Sequence, residues 1–336
     1  MLSAAVYLHR IDPFAIKFSA GFPIEGIRWY GLSYLLGFFI GYLLIRRIAA
    51  VGRTTIKPTE VGDMVVTLAI GIVAGGRIGY AAFYNPELFV TFSPSFPWWN
   101  LLALHHGGMA SHGGIIGAIL ATFYYAKRHG HSWPHVLDLF AFAAPLGVFF
   151  GRIANFINGE LYGRAASPDF PLAVKFPKEL LESPLPAGTD AAITKAESLG
   201  LLQPYYDAGI GPLYALVDLV QRGNADVIAL VEPILTPRHP SQLYQALFEG
   251  LIVFIVLLIV WAKPRKPGVV AGSAALSYAI MRILGEQFRE PDAHIGYDLL
   301  GLTRGQWLSL GVVALGIALL TIFARRKTDP MGGWRA

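Results

Sequence analysis

Seven stretches of about twenty mainly apolar residues dominate this sequence, and polar segments separate them. An α-helix of about 20 residues is long enough to cross the hydrocarbon core of a bilayer. The mean hydropathy is +0.50 and only 15% of the residues are charged, which is unusual for a soluble domain. We therefore predict an all-α, polytopic membrane protein with about seven transmembrane helices, in which residues 1–336 form a single integral membrane domain. The predicted spans are approximately residues 29–48, 61–83, 108–126, 136–156, 243–261, 268–288 and 306–324.

The distribution of Lys and Arg predicts the orientation of these spans. Basic residues follow the first, third, fifth and seventh spans, whereas the loop 85–107 between the second and third spans contains neither Lys nor Arg. Loops on the cytoplasmic side of a membrane carry an excess of Lys and Arg. We therefore expect the N-terminus outside and the C-terminus in the cytoplasm.

A long polar segment, residues 161–240, separates the fourth and fifth spans and is expected on the outer side of the membrane. It is rich in proline and includes a helix-like stretch at 190–202. A loop this long is usually functional or disordered. Because it joins the two most polar parts of the chain, we favour a functional segment over a passive linker.

Composition excludes several classes of site. The chain has no cysteine, so it has no disulfide, no thiolate metal site and no cysteine nucleophile of its own. Its histidines do not form an HExxH motif, and we predict neither a metal nor a cofactor. The net charge is +5, but the basic residues cluster between apolar segments. This arrangement is typical of membrane topology and of contact with anionic membrane lipids, not of nucleic-acid binding.

Glycines recur at four-residue intervals in the second and third spans. They are Gly71, Gly75 and Gly79, and Gly113 and Gly117. Small residues at this spacing allow membrane helices to approach closely. We therefore interpret them as packing residues.

The stretch 151–163, GRIANFINGELYG, places a charge and two amides at the end of the fourth span. A charged side chain near the bilayer centre costs at least about 2.5–3.5 kcal/mol, so such a residue usually has a partner or a task. Arg152 and Asn155 are three residues apart and share a helix face, and Asp138 lies two heptads earlier on that face. In the alternative interpretation, Arg152 only caps the helix and pairs with Glu160.

The sixth span carries a continuous polar stripe. It consists of Tyr278, Arg282, Glu286 and Arg289, at intervals of four, four and three residues. An Arg–Glu pair could simply neutralise itself, but the stripe has two arginines for one glutamate, and Arg152 and Arg77 add further positive charge. A guanidinium stays charged when buried and binds two phosphate oxygens together. The pattern indicates a phospholipid headgroup site or an anion route.

The third span begins with the sequence HHGGMASHGG, residues 105–114. His112 lies between small residues, and a histidine titrates near neutral pH, so it is a candidate general base. His105 and His106 are expected at the outer interface. A purely structural role for His112 is the alternative.

Two further groups lie near the expected outer surface. His239 precedes the fifth span, whose first turns place Gln242, Gln245 and Glu249 on one face. Tyr30 begins the first span, where an interfacial tyrosine is common.

Several motifs occur in one order along nearly the whole chain. They are RWYG at 28–31, GGRIGY at 75–80, HGG at 112–114, GRIANFINGELYGR at 151–164, RHPSQLY at 238–244, and FREPDA at 288–293 after Arg282 and Glu286. In this order they resemble the bacterial prolipoprotein diacylglyceryl transferases. The resemblance implies an inner-membrane enzyme that moves the diacylglyceryl group of phosphatidylglycerol to the lipobox cysteine thiol of a prolipoprotein. It also implies a thioether product and the release of glycerol phosphate, so the expected partners are phosphatidylglycerol, the lipobox peptide and membrane lipids.

The residue patterns and the resemblance together predict three groups of site residues. The expected catalytic residues are Arg152, Arg282, His112, Tyr30 and Asn155. The expected phosphatidylglycerol-binding residues are Arg152, Glu160, Gly163, Tyr278, Glu286, Arg289 and Arg77, and the expected supporting residues are Asp138, His239, Gln242 and Glu249. The chain departs from the family pattern at Gln245, where glutamate is common, and in the length of the segment after Gly163.

Two other functions are compatible with the same residue patterns. The same arginines could line a pathway in a transporter or flippase for an anionic lipid, although the sequence shows no convincing internal repeat. Ser111 beside His112 suggests a hydrolase, but GMASHG is not a GxSxG motif.

Overall fold

The computed structural model describes residues 6–18, 26–94, 96–104, 107–290 and 301–334, and it is mostly helical. The helices are α1 (Trp29–Ala50), α2 (Val61–Phe83), α3 (Ser111–His129), α4 (Trp133–Asn158), α5 (Thr189–Ser198), α6 (Gln203–Asp207), α7 (Pro212–Gln221), α8 (Ala225–Val231), α9 (Ser241–Gln245), α10 (Val253–Trp261), α11 (Val269–Glu286) and α12 (Arg304–Arg325). A π-helical segment, Ala246–Ile252, joins α9 to α10, so that Ser241–Trp261 is one helix.

The prediction of a mostly helical, multi-pass membrane protein is confirmed. Within the described ranges, six helices are long and apolar enough to cross a membrane. They are α1, α2, α4, the helix Ser241–Trp261, α11 and α12. The predicted third span corresponds to α3, whose first and last turns carry His112, Lys127 and Arg128 and are therefore more polar. The count of seven spans stays a prediction.

The chain divides into two compact units. The first comprises Met1–Gly37, Gly147–Ile252 and Tyr278–Gly311, and the second comprises Phe38–Leu146, Val253–Ser277 and Val312–Ala336. The expectation of a single integral membrane domain stays a prediction.

The segment 161–240, within the first unit, folds around a hydrophobic core of its own. Leu180, Leu216, Val220 and Val227 are fully buried in one cluster formed by α5, α7, α8 and the 3₁₀ helix Pro177–Leu181. The helix-like stretch predicted at 190–202 is observed as α5. Burial of this many apolar side chains stabilises the segment by the hydrophobic effect, so it is not a structureless linker.

Two small sheets were not predicted from the sequence. Strand β1 (Tyr7–Leu8) pairs in parallel with β4 (Val174–Lys175), which pairs antiparallel with β5 (Pro237–Arg238). Strand β2 (Phe14–Lys17) pairs antiparallel with β3 (Gly26–Arg28). Most of these strands are two or three residues long, too short for a visible alternation of apolar and polar residues.

The glycines of α2 and α3 are packing residues, as their spacing predicted. A Cβ atom at Gly75 would lie 2.4 Å from the carbonyl oxygen of Gly113, and one at Gly117 would lie 2.0 Å from the carbonyl oxygen of Gly71. Any larger side chain would therefore separate the two backbones, whose close contact stabilises helix association in a membrane.

His9, directly after β1, is buried at the end of α4 within the first unit. Its ring is 1% exposed and lies between Phe156 and Phe176, with ring centroids 5.4 Å from each. Gly159, with a φ of +63°, turns the chain beside it, and a Cβ there would lie 3.1 Å from the ring. Burial lowers the pKa of His9 to about 4. The ring is therefore neutral at physiological pH.

We expect acidification to destabilise the protein through His9. Between pH 6.5 and about 4 the unfolded chain holds a proton on this histidine and the folded chain does not, so stability falls as the pH falls. From pH 7.5 to pH 5 the effect is about 2 kcal/mol. Thermal unfolding of the native protein and of His9→Phe, measured at both pH values, isolates this contribution. An identical pH dependence in the two proteins would contradict the assignment.

Candidate active site

Glu249 is the centre of an ion-pair cluster in the first unit. It lies in the π-helical segment Ala246–Ile252 and is fully buried. Its Oε2 accepts a hydrogen bond from Nη2 of Arg152, and its Oε1 accepts one from Nη1 of Arg282, both at 2.9 Å. A buried carboxylate is tolerated only when it is paired and hydrogen-bonded, so Glu249 requires the two arginines. The arginines in turn require Glu249 as their counter-ion.

Arg152 and Glu249 come together because Gly250, which has no side chain, allows the two helix backbones to approach closely. A Cβ atom at Gly250 would lie 2.6 Å from the Cβ of Phe149 in α4. The π-helical turn therefore packs directly against the α4 backbone, three residues before Arg152. π-Helical segments are rare and often occur at functional sites.

Glu286 provides a second carboxylate for the cluster. Its Oε2 lies 3.4 Å from Nη2 of Arg282, and its Oε1 accepts a hydrogen bond from Thr303. Two guanidinium groups therefore face two carboxylates, and the formal charges of these four groups cancel. The sequence suggested a surplus of positive charge, but these four groups have none. The reason is that Glu249, which lies on another helix than the polar stripe, is a counter-ion of both arginines.

The side chains of both arginines are partly accessible. The side chain of Arg152 is 17% exposed and that of Arg282 is 15% exposed, whereas Glu249 is 0% exposed. Tyr278, one turn before Arg282 on α11, lies close to Arg152 and Glu249. A guanidinium has five N–H donors, and the contacts of Arg152 with described residues use only part of them. The cluster can therefore bind an anionic group.

Asn155 and Glu160 form a separate pair. The Nδ2 of Asn155 donates to Oε1 of Glu160 at 2.8 Å and lies 3.4 Å from the hydroxyl of Tyr30. The alternative in which Glu160 neutralises Arg152 is not observed, because the carboxylate partner of Arg152 is Glu249. The structure thus brings Tyr30, Asn155 and Glu160 together, and their roles at the site stay predictions.

The turn that carries Glu160 is held by side chains from the start of α9. The Nε2 of Gln242 donates to the Glu160 carbonyl at 2.7 Å, and the Oγ of Ser241 donates to the Leu161 carbonyl at 3.1 Å. Both side chains are fully buried. Leu161 has a φ of +55°, which is uncommon for a residue other than glycine. These hydrogen bonds fix the turn against that local strain.

Gly163 joins three segments of the first unit. Its N–H donates to the His239 carbonyl at 2.9 Å, and it forms an isolated β-bridge with Arg289. A Cβ atom at this position would lie 2.3 Å from the Phe288 carbonyl oxygen and 2.7 Å from that of His239. Only glycine fits here. The ring of His239 itself packs among aromatic side chains, with its centroid 4.8 Å from that of Phe170.

Arg77, expected at the phosphatidylglycerol site, has a different task in the structure. It is 5% exposed and donates to five backbone carbonyls of the second unit. These belong to Asn100, Leu101, Ala103, Gly107 and Gly108. Its five N–H donors are thus matched by five acceptors. Arg77 organises the loop between α2 and α3, and its expected role in phosphatidylglycerol binding stays a prediction.

Asp138 also has a structural task that the sequence did not reveal. It is 2% exposed in α4, and its carboxylate accepts hydrogen bonds from the backbone N–H groups of Gly268 and Ala271, both at 2.7 Å. These are among the free N–H groups at the start of α11. Asp138 therefore caps α11 within the second unit and is not part of the ion-pair cluster.

His112 lies in the first turn of α3, where its side chain is exposed. It belongs to the second unit, whereas Arg152 and Arg282 belong to the first. Its role as a base stays a prediction. His105, His106 and residues 291–293 of the FREPDA motif lie outside the described residues.

Sequence reasoning assigned Glu249 only a supporting role and missed that it is the shared counter-ion of Arg152 and Arg282. A signal was present, since Glu249 is the only acid in the most hydrophobic of the six candidate spans, whose hydropathy is 2.4. A carboxylate in such a helix requires cationic partners on other helices. Arg152, Arg282 and Arg77 were cations within the predicted spans that could serve as partners.

Comparisons with known proteins agree with this arrangement of motifs. The family model described as prolipoprotein diacylglyceryl transferase matches residues 16–322. A protein of Bdellovibrio bacteriovorus named phosphatidylglycerol–prolipoprotein diacylglyceryl transferase is 44% identical, and the alignment covers 98% of this chain and 97% of that protein. Proteins of the same name from Rhodospirillum rubrum and Idiomarina loihiensis are 36% and 37% identical, over 96% of this chain in each case and over 99% and 96% of their own lengths. The chain therefore belongs to the prolipoprotein diacylglyceryl transferase family and is a membrane-bound transferase.

Proposed function

We propose that this protein transfers the sn-1,2-diacylglyceryl group of phosphatidylglycerol to the lipobox cysteine of prolipoproteins. The names of its relatives contain both substrates, phosphatidylglycerol and prolipoprotein. The observation that carries the proposal is the pair of arginines, Arg152 and Arg282, that the buried carboxylate of Glu249 holds side by side. Such a pair suits the phosphodiester of the donor lipid.

Arg152 and Arg282 are proposed to bind the phosphate of the donor. Two guanidinium groups repel each other, but each lies 2.9 Å from an oxygen of the same carboxylate, which offsets the repulsion. The planar guanidinium donates two parallel hydrogen bonds to phosphate oxygens. Because Glu249 orients both arginines before the lipid arrives, little reorganisation is needed during the reaction.

The reaction combines one proton transfer with the exchange of one bond at carbon. The thiol of the lipobox cysteine loses its proton, the sulfur attacks the glycerol carbon that carries the phosphate oxygen, and a C–S bond replaces that C–O bond. The bonding electrons of the C–O bond pass to the leaving glycerol phosphate, which gains negative charge. Arg152 and Arg282 stabilise this charge more in the transition state than in the bound lipid, which is the condition for catalysis.

The thiol proton requires an acceptor, because a free cysteine has a pKa of about 8.5 and is mostly protonated at neutral pH. His112 is the proposed base. It carries an exposed imidazole in the first turn of α3. Asn155 and Tyr30 are proposed to position the substrate beside Glu160.

The proposed setting is the inner membrane of a bacterium, with the N-terminus and the segment 161–240 outside and the C-terminus in the cytoplasm. This orientation is supported by the absence of Lys and Arg from residues 85–107 and by Arg325, Arg326 and Lys327 after α12. The segment 161–240 then lies on the side to which prolipoproteins are exported.

The test is transfer of labelled diacylglyceryl from phosphatidylglycerol to a synthetic lipobox peptide, with the full-length protein in lipid vesicles. We expect a thioether-linked lipid on the cysteine peptide and none on a matched peptide with serine in its place. In the same assay, His112→Gln should lower the rate by about 10²–10⁴ if His112 is the base. Native protein that binds phosphatidylglycerol but transfers nothing would overturn the proposal.

A further inference from the structure

Gln245 is a fully buried amide whose hydrogen-bonding groups are unused. It is 0% exposed, and neither its Oε1 nor its Nε2 has a hydrogen-bond partner among the described residues. Buried side-chain amides in folded proteins are almost always bonded, because leaving them unpaired forfeits their hydration without replacement. Packing alone does not account for a buried amide without hydrogen bonds, so a ligand is the natural partner to consider.

Gln245 lies next to the ion-pair cluster. It precedes Glu249 by four residues at the junction of α9 with the π-helical segment. A Cβ atom at Gly285 would lie 3.5 Å from the Cγ of Gln245 and 3.7 Å from the Oε1 of Glu249, so one surface of α11 contacts both side chains. Gln245 is therefore adjacent to the carboxylate that holds the two arginines.

Gln245 is not alone, because four further buried oxygens of the first unit are without a hydrogen bond from the described part of the chain, those of Asn158, Tyr162, Gln242 and Glu286. Two of these belong to residues beside Gln245 or in the cluster. The two are the Oε1 of Gln242 and the Oε2 of Glu286. Gln242 lies three residues before Gln245 on the same helix, and its Nε2 is already bonded to the Glu160 carbonyl. Glu286 is paired with Arg282, which itself contacts Glu249. Two oxygens that could accept a hydrogen bond, on Gln242 and Glu286, thus lie near the unbonded amide of Gln245.

The chemistry of these groups specifies what would satisfy them. The oxygens need a hydrogen-bond donor, and the Nε2 of Gln245 needs an acceptor. A phosphate diester only accepts, an ammonium only donates, and a quaternary ammonium does neither. A hydroxyl both donates and accepts, and a polyol offers several hydroxyls close together.

We propose that Gln245 binds a hydroxyl of the headgroup glycerol of phosphatidylglycerol and thereby determines which lipid serves as donor. The inference rests on the proposed function, because it takes the donor phosphate to lie on Arg152 and Arg282. The headgroup glycerol is attached to that phosphate, so it reaches the side chains that flank the arginines. The site then recognises the headgroup by its hydroxyls as well as by its charge.

The experiment compares two donors that differ only in the headgroup. Phosphatidylmethanol has the same diacylglyceryl group and phosphodiester as phosphatidylglycerol but no headgroup hydroxyl. The full-length protein in phosphatidylcholine vesicles is assayed for kcat/KM of transfer to the lipobox peptide. We expect the native protein to prefer phosphatidylglycerol by about tenfold or more, because a buried polar group that loses its partner discriminates strongly.

Gln245→Met keeps the side-chain volume and removes the amide. Its preference for phosphatidylglycerol is expected to fall to near one, while its unfolding temperature stays at or above that of the native protein, since an apolar group replaces an unpaired amide. Gln203→Met, at an exposed glutamine of α6, is the matched control and should keep the native preference. Gln245→Glu keeps acceptor oxygens and should retain more of the preference than Gln245→Met.

The outcomes separate this inference from the function on which it rests. If the native protein uses both donors equally, or if folded Gln245→Met keeps the native preference, the role of Gln245 is wrong and the transferase reaction stands. A loss of activity with both donors in the same proportion, together with a lower unfolding temperature, would mean a structural role only. If the native protein transfers from neither donor, the proposed function itself fails. If Gln245→Met does not fold, the preference for phosphatidylglycerol over phosphatidylmethanol is compared between the native protein and Gln245→Glu, and an unchanged preference in Gln245→Glu together with none in the native protein contradicts the role of Gln245.

Discussion

Replacement of Glu249 by glutamine is expected to lower diacylglyceryl transfer by about 10²–10³-fold. The substitution keeps the shape of the side chain but removes the charge that Arg152 and Arg282 share. The two cations then repel each other, and their guanidinium groups move away from the positions that suit a phosphate. Removal of one partner of a buried ion pair also destabilises a protein by about 3–5 kcal/mol. The measurements are kcat for transfer to the lipobox peptide and the unfolding temperature of the same preparation.

The control for Glu249→Gln is Glu87→Gln. Glu87 is exposed in a short 3₁₀ helix, and its loss is expected to leave both quantities within experimental error of the native values. A Glu249→Gln protein with more than a tenth of the native kcat would show that the shared carboxylate does not organise the arginines for catalysis.

Arg152→Ala is expected to reduce transfer by about 10³-fold, which is the upper range for loss of one preorganised donor to developing negative charge. The loss should appear in kcat, because the negative charge on the leaving phosphate is greatest in the transition state. Arg152→Lys keeps the charge beside Glu249 but not the planar fork, so we expect it to recover only part of the activity. The measurement is steady-state transfer with phosphatidylglycerol as the varied substrate.

Arg222→Ala serves as the control for Arg152→Ala. Arg222 is 65% exposed and pairs with Asp218 on the surface of α7, an ion pair of little energetic consequence. It should transfer at the native rate. If Arg152→Ala folds and changes KM without lowering kcat, then Arg152 binds the ground-state lipid only, and the stabilisation of the leaving phosphate must come from Arg282.

The sequence by itself determined the membrane-spanning helices. Helix α2 was predicted at 61–83 and is observed at Val61–Phe83, and α4 was predicted at 136–156 and is observed at Trp133–Asn158. The reason is local. Every backbone polar group in a bilayer must be bonded within its own segment, so a run of about twenty apolar residues has one stable conformation. The family, too, followed from short motifs in linear order.

Several of the expected site residues could also be placed together from the sequence, because they lie within a few residues of one another. Asn155 and Glu160 belong to one signature and form one hydrogen bond in the structure. The requirement for glycine at Gly163 was visible as a motif position, but its reason, contact with two backbone carbonyls from other segments, was not.

Only the tertiary structure decided the partners of the buried charges. Arg152 pairs with a glutamate 97 residues away, Arg77 binds loop carbonyls, and Asp138 caps a helix more than a hundred residues further along the chain. The pattern of polar residues on a single helix shows which face is polar but not which helix it contacts. Since a buried charge is stabilised by whatever lies within about 3 Å, and that neighbour depends on packing between helices distant in sequence, the chemistry of the cluster became visible only in three dimensions.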